Sequence, residues 1–463
     1  MAAQELGSVV VIGGGLAGMT AAWALTRGGH HVTLVERRPY LGGRAYSFVD
    51  QETGTEVDNG QHVFLGCNTA FADLLADVGS LDRAFRQRRL RVEVRSPSGA
   101  VGVLGASPLP APLHLLPSFF RYPHIGPRDK LRAVPALLRI RAERHRGRDA
   151  LRDQSFGAWL TANGQSAHAI ANFWDVIVVP ALNDASRDVS ASMGFMVFQE
   201  ALLRDSHGAD VGFARAGLSE LLGHAFEARL RERSATLLLG RTAARVAVDD
   251  ASRVTYVELA DGERVTGDWY VSALPPGALL GLLPPEVSAT PGFAPAATHT
   301  WSPIVNLHVW YDRPIGDFDF VAFVDSPVQW VFNRTRIAGL DGPGQYITLS
   351  QSGAWTFWPM SKEELRELFL PEIARLFPRA AEAGVERFIV VKEQHATFRS
   401  LPGTTANRLP TRSPLSNLLL AGDWTDTGWP ATMESAVRSG NAAAAAASDA
   451  LTARGADAIE ARP

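Results

Sequence analysis

The chain has 463 residues, 46% of them hydrophobic and 20% charged, with a formal net charge of −3. That length exceeds one simple core and points to two domains, contiguous or interleaved, while the near-neutral charge supplies no global field for nucleic acid. The single cysteine, Cys67, excludes an intrachain disulfide and any cysteine-built metal or iron–sulfur centre, so no metal site is expected and a reducing compartment fits.

The N-terminus reads without a targeting signal, because the first apolar run, VVVI, follows no basic residue and stops at three glycines. No stretch approaches the roughly 18 uninterrupted apolar residues of a spanning helix. The expectation is a cytoplasmic protein that meets a membrane, if at all, from its surface. Ser8 to Ile12 is a β-branched run typical of a fully buried parallel strand. Gly13, Gly15 and Gly18 follow as G-x-G-x-x-G, with Leu16 and Ala17 opening an alanine-rich helix that Gly28-Gly29 stops. HHVTLVE is the next strand and ends at Glu36. Gly13 permits the tight turn, Gly15 lets a pyrophosphate approach the backbone, and Gly18 lets helix pack on strand. The helix N-terminus supplies donors, and Glu36 can accept from ribose hydroxyls. The unit is Rossmann-like, and taken alone it suits NAD or FAD.

After Glu36 and Arg37, the paired glycines Gly42 and Gly43 let backbone approach a ligand, and Arg44 can neutralise a phosphate. DNGQHVF (58–64) comes next. Residues 103–120 are apolar but broken by four prolines. From Arg121 to Arg148 there are nine Arg/Lys (Arg121, Arg128, Lys130, Arg132, Arg139, Arg141, Arg144, Arg146, Arg148) against Asp129 and Glu143. An apolar flap beside a basic helix has the composition of a surface resting on anionic lipid; the plainer reading is a solvated helix under a proline-rich lid. Residues 236 to 275 read as a compact β meander turning at Asp261-Gly262. WSPIVNLHVWYDRP and QYITLSQSGAW read as strands, and SKEELRELFLPEIARLF (361–377) as a helix whose apolar spacing suits core. Finally, LLLAGDW ends a buried strand at Gly422-Asp423, and Trp429-Pro430-Ala431-Thr432-Met433-Glu434 starts a helix of small residues.

The G-x-G-x-x-G unit, the GGR extension at 42–44, DNGQHVF and the GDW…WPATMES tail together resemble the flavin amine oxidase and phytoene desaturase superfamily. The resemblance implies permanently held FAD. The first fingerprint would hold the pyrophosphate. Asp423 would bind a ribityl or phosphate-side group, and the Pro430–Met433 helix start would face the flavin's pyrimidine edge. It also implies contacts at Arg37, Gly60, Gln61 and His62, and at Val246 against the adenine. The expected fold is α/β (α+β overall): a Rossmann-like FAD-binding domain of discontinuous segments (1–100, 210–290, 400–455) with an inserted mixed α/β substrate domain (100–210, 290–400).

Within the superfamily, DNGQHVFLGC, NFWDVIVVPALNDASRDVSA (172–191) and GADVGFARAGLSELLG (208–223) closely resemble the hydroxysqualene dehydroxylases of bacterial hopanoid biosynthesis. That implies FAD-dependent reduction of hydroxysqualene, a long-chain isoprenoid, to squalene, at the inner face of a bacterial membrane. Carotenoid desaturation, amine oxidation and a non-catalytic FAD-binding scaffold are the alternatives. Amine oxidases place a lysine near the flavin on a strand resembling SPIVNLHVWY, where this chain has Asn306, and GDWTDTGWP lacks the cysteine that tethers flavin in some of them. FAD is therefore expected to be non-covalent. The chemistry needs a proton for the leaving oxygen. His62, Asp184 and Asp426 are the candidate acids, although His62 could equally hydrogen-bond backbone or flavin and Asp184 could cap a helix. No serine- or cysteine-based triad is visible.

Overall fold

The computed structural model describes residues 7–143 and 151–460. Its centre is a five-stranded, all-parallel sheet in the order Thr236–Leu239, His31–Glu36, Ser8–Ile12, Trp269–Ser272, Leu418–Leu420. The first strand shows why its sequence lacks alternation. Val9 and Val11 pack into the core beneath the helices, whereas Val10 and Ile12 pack into a second core beneath a three-stranded meander. A strand covered on both faces needs apolar side chains at every position.

The helices Leu16–Arg27 and Met433–Glu460 cover one face. They approach closely because Gly440 carries no side chain: a Cβ there would lie 2.4 Å from the Ala17 carbonyl oxygen. The meander comprises Ala243–Val248, Val254–Leu259 and Arg264–Val265. It is shorter than the sequence suggests, since Thr236–Leu239 and Trp269–Ser272 join the parallel sheet instead. Trp269–Ser272 is buried at every position, as a strand covered on both faces requires, whereas Thr236–Leu239 forms the half-buried edge.

A second, seven-stranded mixed sheet runs Val385–Phe398, Trp301–Tyr311, Gln345–Ser352, Trp330–Asn333, Phe320–Phe323, Arg91–Arg95, Val101–Gly105. The last two strands form a hairpin, so a domain boundary at residue 100 falls inside it. One face packs on the helix Lys362–Leu376 through Leu365, Phe369 and Ile373. That helix opens with a capping box at Ser361 and Glu364. The other face meets helices between residues 156 and 203, whose core includes Phe156, Trp174, Phe195 and Phe198. Near Trp310 and Tyr346, this face meets Phe48 and Val57. The turn after Val57 therefore lies where the two sheets come together. No helix among the described residues is long and apolar enough to cross a membrane.

Candidate functional site

The first glycine loop is shaped for backbone contact. Gly13 adopts φ +104°, which disfavours any side chain, and its N–H donates to Val35 O at 2.8 Å. A Cβ on Gly18 would lie 1.9 Å from Gly13 O, so helix and strand touch there. Gly42 N–H donates to Gly14 O at 2.9 Å, and a Cβ on Gly43 would sit 2.7 Å from Gly15 Cα. Two glycine loops thus lie against each other at the N-terminus of the helix Leu16–Arg27, where Leu16 and Ala17 are buried. Glu36, 8% exposed, accepts from Gly14 N–H (2.6 Å) and Arg38 N–H (2.8 Å). Its carboxylate is fixed at the loop with lone pairs to spare for hydroxyl donors. Arg37 is exposed. Arg38 is the arginine that binds the loop, donating to Gly43 O at 2.8 Å and lying over the rings of Tyr40 and Tyr46. Val246 is buried in the core shared with Val10, Ile12 and Val35, beside the first two parallel strands.

The C-terminal element comes to the same place. Arg44 Nη2 and Asp423 Oδ1 form an ion pair at 2.6 Å, and Arg44 Nη1 donates to Ala396 O at 2.9 Å. The pair joins the residues expected at the phosphates and at the ribityl chain. Gly422 takes φ +140°, and its N–H donates to Ser439 Oγ at 2.8 Å. The last helix begins at Met433 rather than at Pro430. Thr432 Oγ1 accepts from Ser435 N–H at 3.2 Å, making Thr432 its cap; Pro430 is buried in the loop before it. The Glu434 carboxylate accepts from Ala70 N–H (3.2 Å) and Phe71 N–H (2.8 Å), capping the helix Thr69–Val78.

Arg408, which the sequence reading missed, underlies this loop. Its guanidinium is buried, donates to the carbonyls of Asp423 (2.9 Å) and Thr425, and lies over the Phe398 ring. Burial lowers its pKa to about 10, opposed by the nearby Asp426 and Asp423 carboxylates. In LPGTTANRLP nothing local distinguishes this arginine from a solvated one.

Between the two ends lies the turn Asp58–Asn59–Gly60–Gln61–His62. Asp58 and Arg334 form a buried ion pair at 3.1 Å, each side chain no more than 6% exposed. Asp58 Oδ1 also accepts from Ser47 Oγ (2.8 Å) and Leu218 N–H (2.9 Å). Arg334 Nη1 reaches Gln61 Oε1 at 3.3 Å. A Cβ on Gly60 would lie 2.6 Å from Asn306 Nδ2, so Gly60 admits that asparagine. His62 Nδ1 lies 3.1 Å from Gly60 O. Lost hydration lowers the imidazole pKa below 6.5, opposed by Gly60 O and by the Asp58 and Glu393 carboxylates.

The structure separates the three candidate acids. Asp184 is 1% exposed and accepts from Arg399 Nε (2.8 Å), Arg399 Nη2 (3.1 Å) and Trp355 Nε1 (3.2 Å). Its carboxylate oxygens are thus taken up by these donors. With Asn183, whose Nδ2 donates to Ser302 O and Thr397 Oγ1, it ties the helix Asp175–Leu182 to the seven-stranded sheet. Asp426 is exposed. Only His62 stands beside the Gly60–Gln61 turn. Burial raises the Cys67 thiol pKa to about 12, which disfavours the nucleophilic thiolate. Among the described residues no cluster of three or more His, Cys, Asp or Glu side chains could hold a metal ion.

Glycine loops that admit close backbone approach, a helix N-terminus, a fixed carboxylate and an arginine fit a phosphate-linked nucleotide. The match to known proteins agrees. The model of the family described as flavin containing amine oxidoreductase matches residues 16–448. The chain is 29% identical over 451 residues to hydroxysqualene dehydroxylase of Rhodopseudomonas palustris, covering 94% of this chain and 97% of that protein. It is 26% identical over 445 residues to 15-cis-phytoene desaturase of Narcissus pseudonarcissus, covering 93% and 78%. Among solved structures, a putrescine oxidase mutant superposes with a TM-score of 0.75 at 19% identity, covering 95% of this chain and 98% of that one. Cyclohexylamine oxidase from Brevibacterium oxydans gives 0.71 at 20% identity, covering 96% and 99%. These structures share the fold. The match over 16–448 settles the family: this chain belongs to the flavin-containing amine oxidoreductases.

Proposed function

We propose that the chain holds FAD non-covalently and reduces hydroxysqualene to squalene. The observation that carries this reading is where the three sequence blocks resembling hydroxysqualene dehydroxylases sit. Val63–Leu65 pairs antiparallel with Val211–Ala214. Leu218 N–H donates to Asp58, and the 172–191 block is tied to the strand Trp301–Tyr311 through Asn183. The first and third blocks therefore border the candidate site, and the 172–191 block joins the strand that carries Asn306 at its other end, at Ser302. The end-to-end match to the R. palustris enzyme supports the same reading. The phytoene desaturase relatives favour a second one, desaturation, in which hydride would travel from substrate to flavin.

In the proposed reaction an allylic alcohol and reduced FAD give the hydrocarbon, water and oxidised FAD. Reduced FAD, when bound, supplies the hydride. The residues of the chain hold the cofactor through Glu36, the glycine loops and Asp423, donate a proton from His62 to the departing oxygen, and keep bulk water out. The test is anaerobic. Pre-reduced enzyme should be reoxidised by hydroxysqualene with squalene formed in step, and acid precipitation should release FAD into the supernatant. Reduction of the oxidised flavin by phytoene or squalene, with hydroxysqualene inert, would select the desaturase reading.

We also propose a membrane-facing surface and, with it, a cytoplasmic enzyme on the inner face of a bacterial membrane. On the helix Pro127–Ala142, Ala133, Ala136 and Ile140 are buried. Leu131 (69% exposed) and Leu138 lie on the opposite face. Arg128, Arg132 and Arg139 flank that stripe on one side and Arg141 on the other. Lys130 Nζ donates to Phe120 O at 2.8 Å, bringing the exposed Phe120 alongside. Arg144, Arg146 and Arg148 lie outside the described residues. An apolar ridge bordered by guanidinium groups suits anionic lipid. Vesicles with anionic lipid should bind more protein than neutral ones, salt should weaken binding, and the Arg132→Gln/Arg139→Gln/Arg141→Gln variant should bind less with its FAD content unchanged. Equal binding to both vesicle types at every salt concentration would refute this surface.

A further inference from the structure

A second basic element stands at the start of the apolar flap. The strands Ala84–Arg86 and Arg91–Arg95 are joined by a short turn whose tip carries Arg88 and Arg89. Gln87 braces that turn from both sides. Its Nε2 donates to Arg91 O at 2.9 Å, and its Oε1 accepts from Arg91 N–H at 3.1 Å. Its own N–H donates to Val211 O at 2.8 Å, while the buried Leu90 pins the turn to the core. Arg88 and Arg89 therefore stand exposed on a fixed support.

The same bonds set where the turn sits. Leu90 O accepts from Ala106 N–H at 3.0 Å, and Arg91 pairs with Gly105. Ser107 begins the part of the flap beyond the strand Val101–Gly105. Its N–H donates to His114 O at 2.8 Å, folding residues 107–114 back on themselves. Ser118 Oγ, on the helix Leu116–Arg121, then returns to the N–H and carbonyl of Gly105. Leu109, Leu113 and Phe120 are 46–49% exposed along this path. The turn thus adjoins the flap where it begins, and Lys130 meets it at Phe120, where it ends.

Charge on this surface is one-sided. Residues 84–128 contain seven arginines and one acid, Glu93, which Arg95 engages at 2.5 Å. Arg91 borders a groove with Asp317 and Asp319, but both of those carboxylates pair with Arg336. Asp205 and Asp210 act on the flap at His114, whose side chain is buried. Arg88 and Arg89 make no ion pair among the described residues. Free guanidinium groups beside exposed leucines suit an anion and an apolar phase together. A bilayer containing anionic lipid presents both, whereas a nucleic acid supplies the anion alone.

We infer that the Gln87–Arg91 turn is a second anionic-lipid contact, and that the flap enters the apolar layer through Leu109, Leu113 and Phe120. The inference rests on the membrane-facing surface proposed above and adds its other border and its inserting segment. It also sets an orientation. The open end of the hairpin, at Arg91 and Gly105, points at the membrane, and its turn at residues 96–100 points away.

The test needs no turnover. FAD-loaded protein is titrated with vesicles of phosphatidylcholine alone or with added phosphatidylglycerol, at stepped salt. Arg88→Gln/Arg89→Gln should bind the anionic vesicles about 10- to 30-fold less tightly, since each basic residue at the surface contributes roughly 5-fold. Its binding should also depend less on salt. Arg88→Lys/Arg89→Lys, which keeps the charge, should bind as wild type does. Leu109→Ser/Leu113→Ser should lose affinity at every salt concentration, with the salt dependence kept. All four positions are exposed, so FAD content and Tm should match wild type. Binding that is lost on replacing Arg132, Arg139 and Arg141 but unchanged in the Arg88/Arg89 and Leu109/Leu113 variants overturns this inference and spares the surface proposed above. A wild type indifferent to anionic lipid overturns both. Retention on double-stranded DNA that requires Arg88 and Arg89, with vesicle binding independent of them, overturns it in favour of a nucleic acid.

Discussion

His62→Ala should keep its flavin and slow anaerobic reoxidation by hydroxysqualene by about 10²–10⁴-fold, the usual contribution of a positioned general acid. The expectation follows from the fate of the other candidates: Asp184 is consumed by Arg399 and Trp355, and Asp426 faces solvent. His62 has Nδ1 directed at Gly60 O, which leaves Nε2 to carry the acidic proton. A pH profile distinguishes this role from a structural one. Because lost hydration depresses the imidazole pKa below 6.5, the charged form is scarce at neutrality and grows as pH falls. The wild-type rate should therefore climb from pH 8 through 6.5 and level off only below the depressed pKa, and His62→Ala should flatten that climb. An equal rate in the variant, or a matching slope, would remove His62 as the acid.

Breaking the Asp58–Arg334 pair should cause the largest stability loss of any single substitution considered. Arg334→Met leaves the Asp58 carboxylate buried with, among the described residues, Ser47 Oγ and Leu218 N–H as its donors. Removing one partner of such a pair costs about 3–5 kcal/mol. Replacing both, as Asp58→Asn with Arg334→Met, should recover much of that loss, because the cost lies mainly in the stranded charge. Thermal and urea midpoints of the FAD-loaded proteins are the measurement. A double variant as unstable as the sum of the singles would mean that the two side chains act independently.

What was legible in the sequence was local. Ser8–Ile12, the three glycines and Glu36 specify strand, turn, helix and strand within one short stretch, and each position answers to sterics or hydrogen bonding that its neighbours impose. Hidden were the contacts made across the fold. Arg334 and Asp58 are separated by hundreds of residues, as are Glu434 and Phe71, and neither pair leaves a periodic trace. Composition misdirected in two places. Pro430 suggested a helix start that Thr432 makes, and the 236–275 run looked like one meander although its ends belong to the parallel sheet. In the sequence Asn306 is visible only as the residue standing where amine oxidases have a lysine. The unpartnered oxygen of its own amide emerged only once its strand mates were placed.

The order of strands in the central sheet also bears on synthesis. Ser8–Ile12 leaves the ribosome early, yet Leu418–Leu420 and the Met433–Glu460 helix that seats Gly440 against Ala17 come about 400 residues later. At roughly 5–20 residues per second, the opening strand waits about 20–80 s for them. Throughout that interval the helix Leu16–Arg27 lacks the C-terminal helix that covers it, and the strand Trp269–Ser272, once made, lacks its Leu418–Leu420 neighbour, both invitations to non-native pairing. A ribosome-stalled chain ending before Leu418 should accordingly be protease-sensitive at its first βαβ unit, however well the meander and the seven-stranded sheet have formed.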